Sequence, residues 1–204
     1  MLEAGLAELK IVPTDIQRER LNAYIEELLV WNSKLNLVSA SDREELIVRH
    51  ILDCLSGLEI IRNMGGSSIA DIGTGAGLPG MLLAIFLEKR TVSLVERSGR
   101  KAGFLRSTSA LLGLVDRVEV LDVDLKQVDG VFDIVTLRAF RDLGDFISPL
   151  RKITAPGGRI AAYKGRMEVI EKDLKAACIK MSDAEIIGLK VPFLEEERNL
   201  LIIN

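Results

Sequence analysis

"ADIGTGAGLPG", Ala70 to Gly80, lies between two apolar runs and gathers Gly73, Gly75, Gly77 and Gly80 around one acid, Asp71. The run before it, "SIADI", reads as a strand, and "PGMLLAIFLEK" after it as a helix, so the glycines form a strand-to-helix turn. Glycine carries no Cβ and accepts positive φ, which lets a ligand approach such a turn closely. A phosphate-binding P-loop is excluded, because Met81-Leu82 follow the glycines where a Lys-Ser or Lys-Thr pair would be needed. Gly75, Gly77 and Gly80 do satisfy the dinucleotide pattern G-x-G-x-x-G, and Glu96 lies about twenty residues on, as a ribose-binding acid should. Registration opposes that reading. The first glycine after the strand is Gly73, and counting from it puts Leu78 where the third fingerprint glycine belongs. Asp71 at the strand end would repel a pyrophosphate, yet would pair directly or through water with a ligand ammonium. S-adenosylmethionine carries an ammonium and a sulfonium and no phosphate, and it is the expected ligand, with Glu96 accepting from its ribose hydroxyls.

Working outward, strand-like and helix-like runs alternate from Ser67: "TVSLVE" then "RKAGFLRSTSALLG", "RVEVLD" then a short turn or helix, "FDIVTLR" then "LGDFISPLRKI", "GRIAAYK" then "MEVIEKDLKAACIKM". Alternation of this kind implies parallel strands with crossover helices. The ending differs. "EIIGLKVPF" and "RNLLIIN" are joined by "LEEE", too short for a helical crossover, so this pair is expected to be antiparallel. Upstream, the spacing predicts two helices. One follows Pro13, with Thr14 and Gln17 as a capping box and Ile16, Arg20, Leu21, Tyr24, Leu28 and Trp31 as its stripe. The other opens at Ser41 with Glu44 as capping partner, buries Leu46, Ile47, Ile51, Cys54, Leu55 and Leu58, and ends near Asn63, Gly65 and Gly66. The expected fold is α/β: a Rossmann-like, seven-stranded, mostly parallel sheet with an antiparallel last strand, the plan of class I methyltransferases. Residues 67–204 would form that domain and residues 1–66 a helical extension packed on it.

The chain has 204 residues, 48% hydrophobic and 28% charged, which fits one globular domain with an appendage and suggests neither disorder nor a membrane span. "MLEAGLAELK" lacks the basic and apolar regions of a secretory signal, and Cys54 and Cys178 are distant, outside any C-x-x-C pair. A cytoplasmic protein without disulfide or metal site is expected. The net charge of −3 opposes nonspecific polyanion binding by the whole surface. Locally the balance reverses: Arg97, Arg100, Lys101 and Arg106 occur without an acid between them, and from Arg138 to Arg166 seven basic residues meet only Asp142 and Asp145. Charge alone fits an RNA-facing surface and solvated helix faces equally well.

The residues after the fourth strand restrict the methyl acceptor. Exocyclic base amines are commonly met by an N/D-P-P-Y/F segment at that point, and this chain has "VTLRAFRDL". Attack through pyrimidine C5 needs a nucleophilic thiol, and both cysteines lie on helices far from the loop. A ring nitrogen with a free lone pair, such as guanine N7, needs neither an amine clamp nor a general base.

"WNSKLNLVSASDREELIVRHILDCL", "ADIGTGAGLPGMLLAI", "RKAGFLR", "TLRAF" and "AYKG", in this order and spacing, resemble the bacterial glucose-inhibited division protein B family, also called RsmG, from about Asn22 to the C-terminus. These are small-subunit (16S) ribosomal RNA guanine-N7 methyltransferases. The resemblance implies that Gly73 and Leu78 contact the donor alongside Asp71, Gly75 and Gly77, that Glu96 takes its ribose, and that Val123 and Asp124 take its adenine. It places Arg138 beside both cofactor and incoming base, and Lys164 against RNA phosphate or a guanine acceptor edge; these two are the expected catalytic residues. Arg100, Lys101 and Arg166, in the basic segments, are expected on the substrate side. Ala76 stands where many members have proline, and Cys54 where serine is frequent. The implied partner is small-subunit ribosomal RNA or a ribosomal particle, with no membrane contact and a monomeric enzyme. The rivals are a methyltransferase for another RNA or a small molecule, and a non-catalytic ribosome-assembly factor.

His50, the single histidine, lies one turn from Leu46 and near Asp53, and reads first as a hydrogen-bonded structural residue. The resemblance sets "RHILD" beside the glycine loop and makes it a substrate-contact candidate. Arg49 is positioned to pair with Asp53 four residues later. Trp31 reads as core, and with aromatics at 4% of the chain, RNA would be recognised by shape and phosphate rather than by stacking.

Overall fold

The structure is a computed structural model and describes residues 1–138 and 143–204. Ala139 and Phe140 of "TLRAF", and Arg141 and Asp142 of the basic segment, lie outside the described residues. The chain opens with a short helix that the periodicity does not predict, α1 (Leu2–Glu8). It is held by Leu6, which is buried in the same core as Leu52.

Helix α2 (Asp15–Leu35) begins at the expected box: Thr14 Oγ1 accepts from the Gln17 amide, and the Gln17 side chain accepts from the Thr14 amide. Such caps contribute about 1 kcal/mol. Leu21, Tyr24, Ile25 and Leu28 face inward, whereas Ile16 is exposed. The second expected helix is interrupted. It starts one residue late, with Asp42 capping the Glu45 amide and Glu45 reaching back to Ser41, because a carboxylate is the stronger acceptor. It then runs as α3 (Arg43–Leu46), a π-helical stretch over Ile47–Leu52, α4 (Asp53–Leu55) and α5 (Leu58–Asn63).

The alternating half follows the expected order: β1 (Ser68–Ile72), α6 (Gly80–Phe86), β2 (Thr91–Val95), α7 (Gly99–Leu111), β3 (Val118–Leu121), β4 (Phe132–Arg138), α8 (Leu143–Lys152), β5 (Thr154–Lys164), α9 (Met167–Ala176), β6 (Ala184–Leu189) and β7 (Arg198–Ile203). The seven strands are ordered β3-β2-β1-β4-β5-β7-β6, with β7 antiparallel to both neighbours. Strand order reverses between β1 and β4, which is where open α/β sheets place their ligands.

Two apolar layers cover the sheet. One joins α1, α2 and the interrupted helix to α6 and α7, and every residue of α6 is buried, as its unbroken apolar sequence requires. The other lies beneath α8 and α9. No helix among the described residues is long and apolar enough to cross a membrane.

Candidate active site

After Ile72 the chain turns through the glycine loop, pinned by the Thr74 amide donating to Val95 O at 3.1 Å. Asp71 is fully buried. Its Oδ2 accepts from Thr74 Oγ1 at 2.5 Å and from the Gly80 amide at 2.8 Å, and its Oδ1 from Thr136 Oγ1 at 3.1 Å. Burial pushes its carboxyl up to about 6, against the pull of those three donors. Asp71, expected to pair directly or through water with a ligand ammonium, faces inward and binds the loop to itself. The Gly80 amide opens α6 and is held by the protein's own carboxylate, and a Cβ there would meet Leu94 and Asp71, so this glycine serves close packing of helix on strand.

Beside the loop, at the ends of β1, β2 and β3, lies a cleft of about 290 Å³. Gly73, Glu96, Val123 and Asp124 line it together, as expected, and so do Arg97 and Phe146, which the sequence reading did not assign to it. Glu96 is 7% exposed, accepting from the Gly75 amide at 2.9 Å through Oε2 and from the Ser98 amide at 2.8 Å through Oε1. Each oxygen retains a further lone pair for a ligand hydroxyl. Asp124 caps a short 3-10 turn, Leu125–Gln127, through its carboxylate. Gly75 has φ +58° and would meet nothing of the protein closer than Gly73 O with a Cβ added, so its backbone conformation, not crowding, demands glycine.

Leu78 is buried in the core beneath the loop, and a Cβ on Gly77 would point toward Tyr24, Met81 and Leu105.

A second cavity of about 290 Å³ lies at the ends of β4 and β5, between the sheet and the interrupted helix. Arg138 lines this second cavity. Its guanidinium donates to Asp53 Oδ2 at 3.0 Å, to Arg49 O at 3.3 Å and to His50 Nδ1 at 2.9 Å. It points this way because residue 138 shares a sheet face with Thr136 and Asp71, away from α8. His50 Nε2 lies 3.2 Å from Ser39 O, so both ring nitrogens are engaged, as the structural reading of this residue anticipates. Arg198 Nε sits 3.3 Å from the other Asp53 oxygen. Arg49 does not pair with Asp53 as the spacing suggests. It forms two hydrogen bonds to Glu196, at 2.9 and 3.1 Å, because the π-helical turns break the four-residue relation between positions 49 and 53.

Lys164 lines the same cavity but is 8% exposed, and its Nζ donates to Asp173 Oδ2 at 2.6 Å. Lys164, expected against RNA phosphate or a guanine acceptor edge, ties the end of β5 to α9 through its ammonium, since a buried charge requires a counter-charge. Arg100 and Arg166 are exposed and Lys101 is half-buried. Arg100 and Lys101 share the first turn of α7 with no acid between them, whereas Arg166 borders a shallow hollow holding Glu195, Glu196 and Glu197. Trp31 packs against Phe104 with ring centroids 5.9 Å apart, a core role as expected. Arg198 and Ser39 were missed by the sequence reading, and Asp53 entered it only as a neighbour of His50 and a partner for Arg49. Only the acid offered a signal, as the residue nearest His50 that could hold a buried cation.

A seven-stranded sheet with an antiparallel seventh strand, a glycine loop after β1 and an acid closing β2 define a class I methyltransferase. The solved structures agree: a protein of Agrobacterium tumefaciens described as a predicted O-methyltransferase superposes with a TM-score of 0.60 at 26% identity, over 74% of this chain and 79% of that one. Ribosomal protein L11 methylase of Lactobacillus delbrueckii subsp. bulgaricus gives 0.57 at 20% identity, over 74% and 76%. More narrowly, residues 17–201 match the family described as GidB, rRNA small subunit methyltransferase G, and the chain belongs to that family. Proteins called ribosomal RNA small subunit methyltransferase G are 38% identical in Borrelia hermsii, over 98% of this chain and 97% of that protein, and 36% identical in Burkholderia multivorans, over 98% and 90%.

Proposed function

We propose that the protein transfers a methyl group from S-adenosylmethionine to N7 of a guanine in small-subunit (16S) ribosomal RNA. The observation that carries this reading is the cleft at the ends of β1 to β3, where Glu96 and Asp124 supply two carboxylates beside the glycine loop. A ligand that offers ribose hydroxyls and an adenine amine fits that pair of acceptors. When bound, S-adenosylmethionine supplies a sulfonium-activated methyl group, which an in-line nucleophile accepts as the thioether departs.

The chain's own residues have three tasks. Gly73, Glu96, Val123 and Asp124 hold the donor, with Gly75 and Gly77 giving the loop its path and Asp71 and Leu78 fixing it from behind. Arg138 stabilises the acceptor side by charge, held in place by Asp53 and His50, and Lys164 anchors the neighbouring strand end. Arg100, Lys101 and Arg166 meet RNA phosphate. A guanine N7 lone pair carries no proton, so the transfer needs alignment and electrostatic support and no general base. Residues 67–204 form the donor-binding domain in this reading, and residues 1–66 an extension that supplies Ser39, Arg49, His50 and Asp53 to the second cavity.

The experiment is a map of N7-methylguanosine across ribosomal RNA in cells with and without this protein. Loss of one small-subunit modification is expected. An unchanged map overturns the proposed acceptor.

A further inference from the structure

Asp71 and Glu96 grip the glycine loop from the strand side, but a third hold on it comes from far along the chain. Tyr24 of α2 is fully buried, and its Oη donates to the carbonyl of Ala76 at 2.8 Å. Burial raises its ionisation well above the ordinary value, so the phenol remains a donor at any working pH. Ala76 sits between Gly75 and Gly77, whose φ angles are +58° and +92°. Inside the loop the Gly77 amide donates to Thr74 O at 2.9 Å, and Tyr24 holds the opposite side of the same peptide from outside the loop. A Cβ added to Gly77 would lie 3.2 Å from Tyr24 Oη and 3.0 Å from Leu105 Cδ2, so the hydroxyl fills the space behind the loop. Directly in front, the Gly75 amide holds the Glu96 carboxylate that faces the cleft.

We infer that Tyr24 is a positioning residue for the methyl donor: its hydroxyl locks the Ala76 carbonyl, and so sets the Gly75 amide and the Glu96 carboxylate for ligand binding. This rests on the glycine loop being the donor loop. Without the hydroxyl, a buried carbonyl must tilt to find another partner. The Gly77 amide of the same peptide donates to Thr74 O, and the Thr74–Gly75 peptide carries the amide that holds Glu96, so the tilt is passed to it. The α2 helix thereby becomes part of the donor site without touching the donor.

The test is Tyr24→Phe, which deletes one oxygen and keeps the ring, compared with Ser109→Ala. Ser109 Oγ is a buried hydroxyl that donates to Leu105 O within α7. Calorimetric affinity for S-adenosylhomocysteine is expected to fall about three- to tenfold in Tyr24→Phe, the worth of one hydrogen bond, and to hold within about twofold in Ser109→Ala. In turnover, the KM for S-adenosylmethionine should rise by the same factor while kcat at saturating donor is retained. Unaltered affinity in Tyr24→Phe, or an equal loss in both variants, overturns the inference while leaving the donor reading intact. A wild-type protein that binds no S-adenosylhomocysteine overturns the donor reading itself, and this inference with it.

Discussion

Arg138 donates to His50 Nδ1 at 2.9 Å, and the direction of that bond sets the protonation of the ring. A guanidinium has no acceptor, so Nδ1 must accept and the proton resides on Nε2, facing Ser39 O at 3.2 Å. Burial first, and the Arg138 charge second, hold the imidazole below its ordinary 6.5, with the Ser39 hydrogen bond and then Asp53 and Glu45 opposing more weakly. Between the lowered native value and about 6.5 the unfolded chain binds a proton that the native state refuses, so stability falls as pH falls through this window. In His50→Gln that component is absent. Urea unfolding of both proteins should show a stability advantage of the wild type that is constant above about pH 7 and shrinks below about pH 6.5. A pH-independent difference would show that the ring does not titrate against Arg138.

Asp71 gives the opposite sign. Its carboxyl titrates at about 6 in the native state against 3.8 ordinarily. Between these values the folded protein keeps a proton that the unfolded chain releases, so this group's contribution declines as pH rises from about 4 to about 6 and stays low beyond. Asparagine has the same shape. Its oxygen still accepts from Thr74 and Gly80, and its amide donates to Thr136. The stability of wild type minus Asp71→Asn is therefore expected to decrease as pH rises through that window and then level off. Parallel stability curves would show that the loop carboxylate is ionised throughout.

Gly75→Val separates folding from donor binding. A side chain there has open space, but φ +58° is costly for a β-branched residue, about 1–2 kcal/mol. For a chain of this size that is a fall of roughly 2–8 °C in Tm. The strain falls on the residue whose amide holds the Glu96 carboxylate in the cleft. Loss of S-adenosylhomocysteine affinity with the melting transition retained is expected. Unchanged affinity would remove the loop from the donor site.

Much of this architecture was legible because its signals are local. Thr14 and Gln17 announce α2 from two residues three apart, and "SIADI" and "FDIVTLR" coincide with β1 and β4 to the residue. The cleft residues Gly73, Glu96, Val123 and Asp124 sit at or just beyond strand ends, where the α/β pattern predicts a site. What stayed hidden depends on partners distant in sequence. Asp71 turns inward because its register neighbour on β4 is Thr136, and Arg138 follows Thr136 onto the same face. Arg49 finds Glu196, which is 147 residues away, because a π-helical stretch no periodicity revealed displaced it from Asp53. Helix α1, seven residues long, is too short to be stable on its own and depends on Leu6 reaching the core.

Lys164 and Asp173 illustrate the same point energetically, and the pair decides how its variants must be read. Their side chains are 6% and 8% exposed, and the ammonium lies 2.6 Å from the carboxylate. Lys164→Ala removes the charge that offsets a buried Asp173, so the loss should reach about 3–5 kcal/mol of folding stability, beyond what a surface RNA contact would give. Replacing both, Lys164→Met with Asp173→Leu, removes two desolvated charges together, and most of that loss should be recovered. Chemical denaturation of the two singles and the double completes the cycle. If Lys164→Ala unfolds like wild type while RNA affinity drops, the ammonium works on the substrate and the buried pair is incidental. If the single is destabilised and the double is not, any fall in methylation by Lys164→Ala is a consequence of a loosened β5 end, and the RNA-facing charges must be sought at Arg100, Lys101 and Arg166.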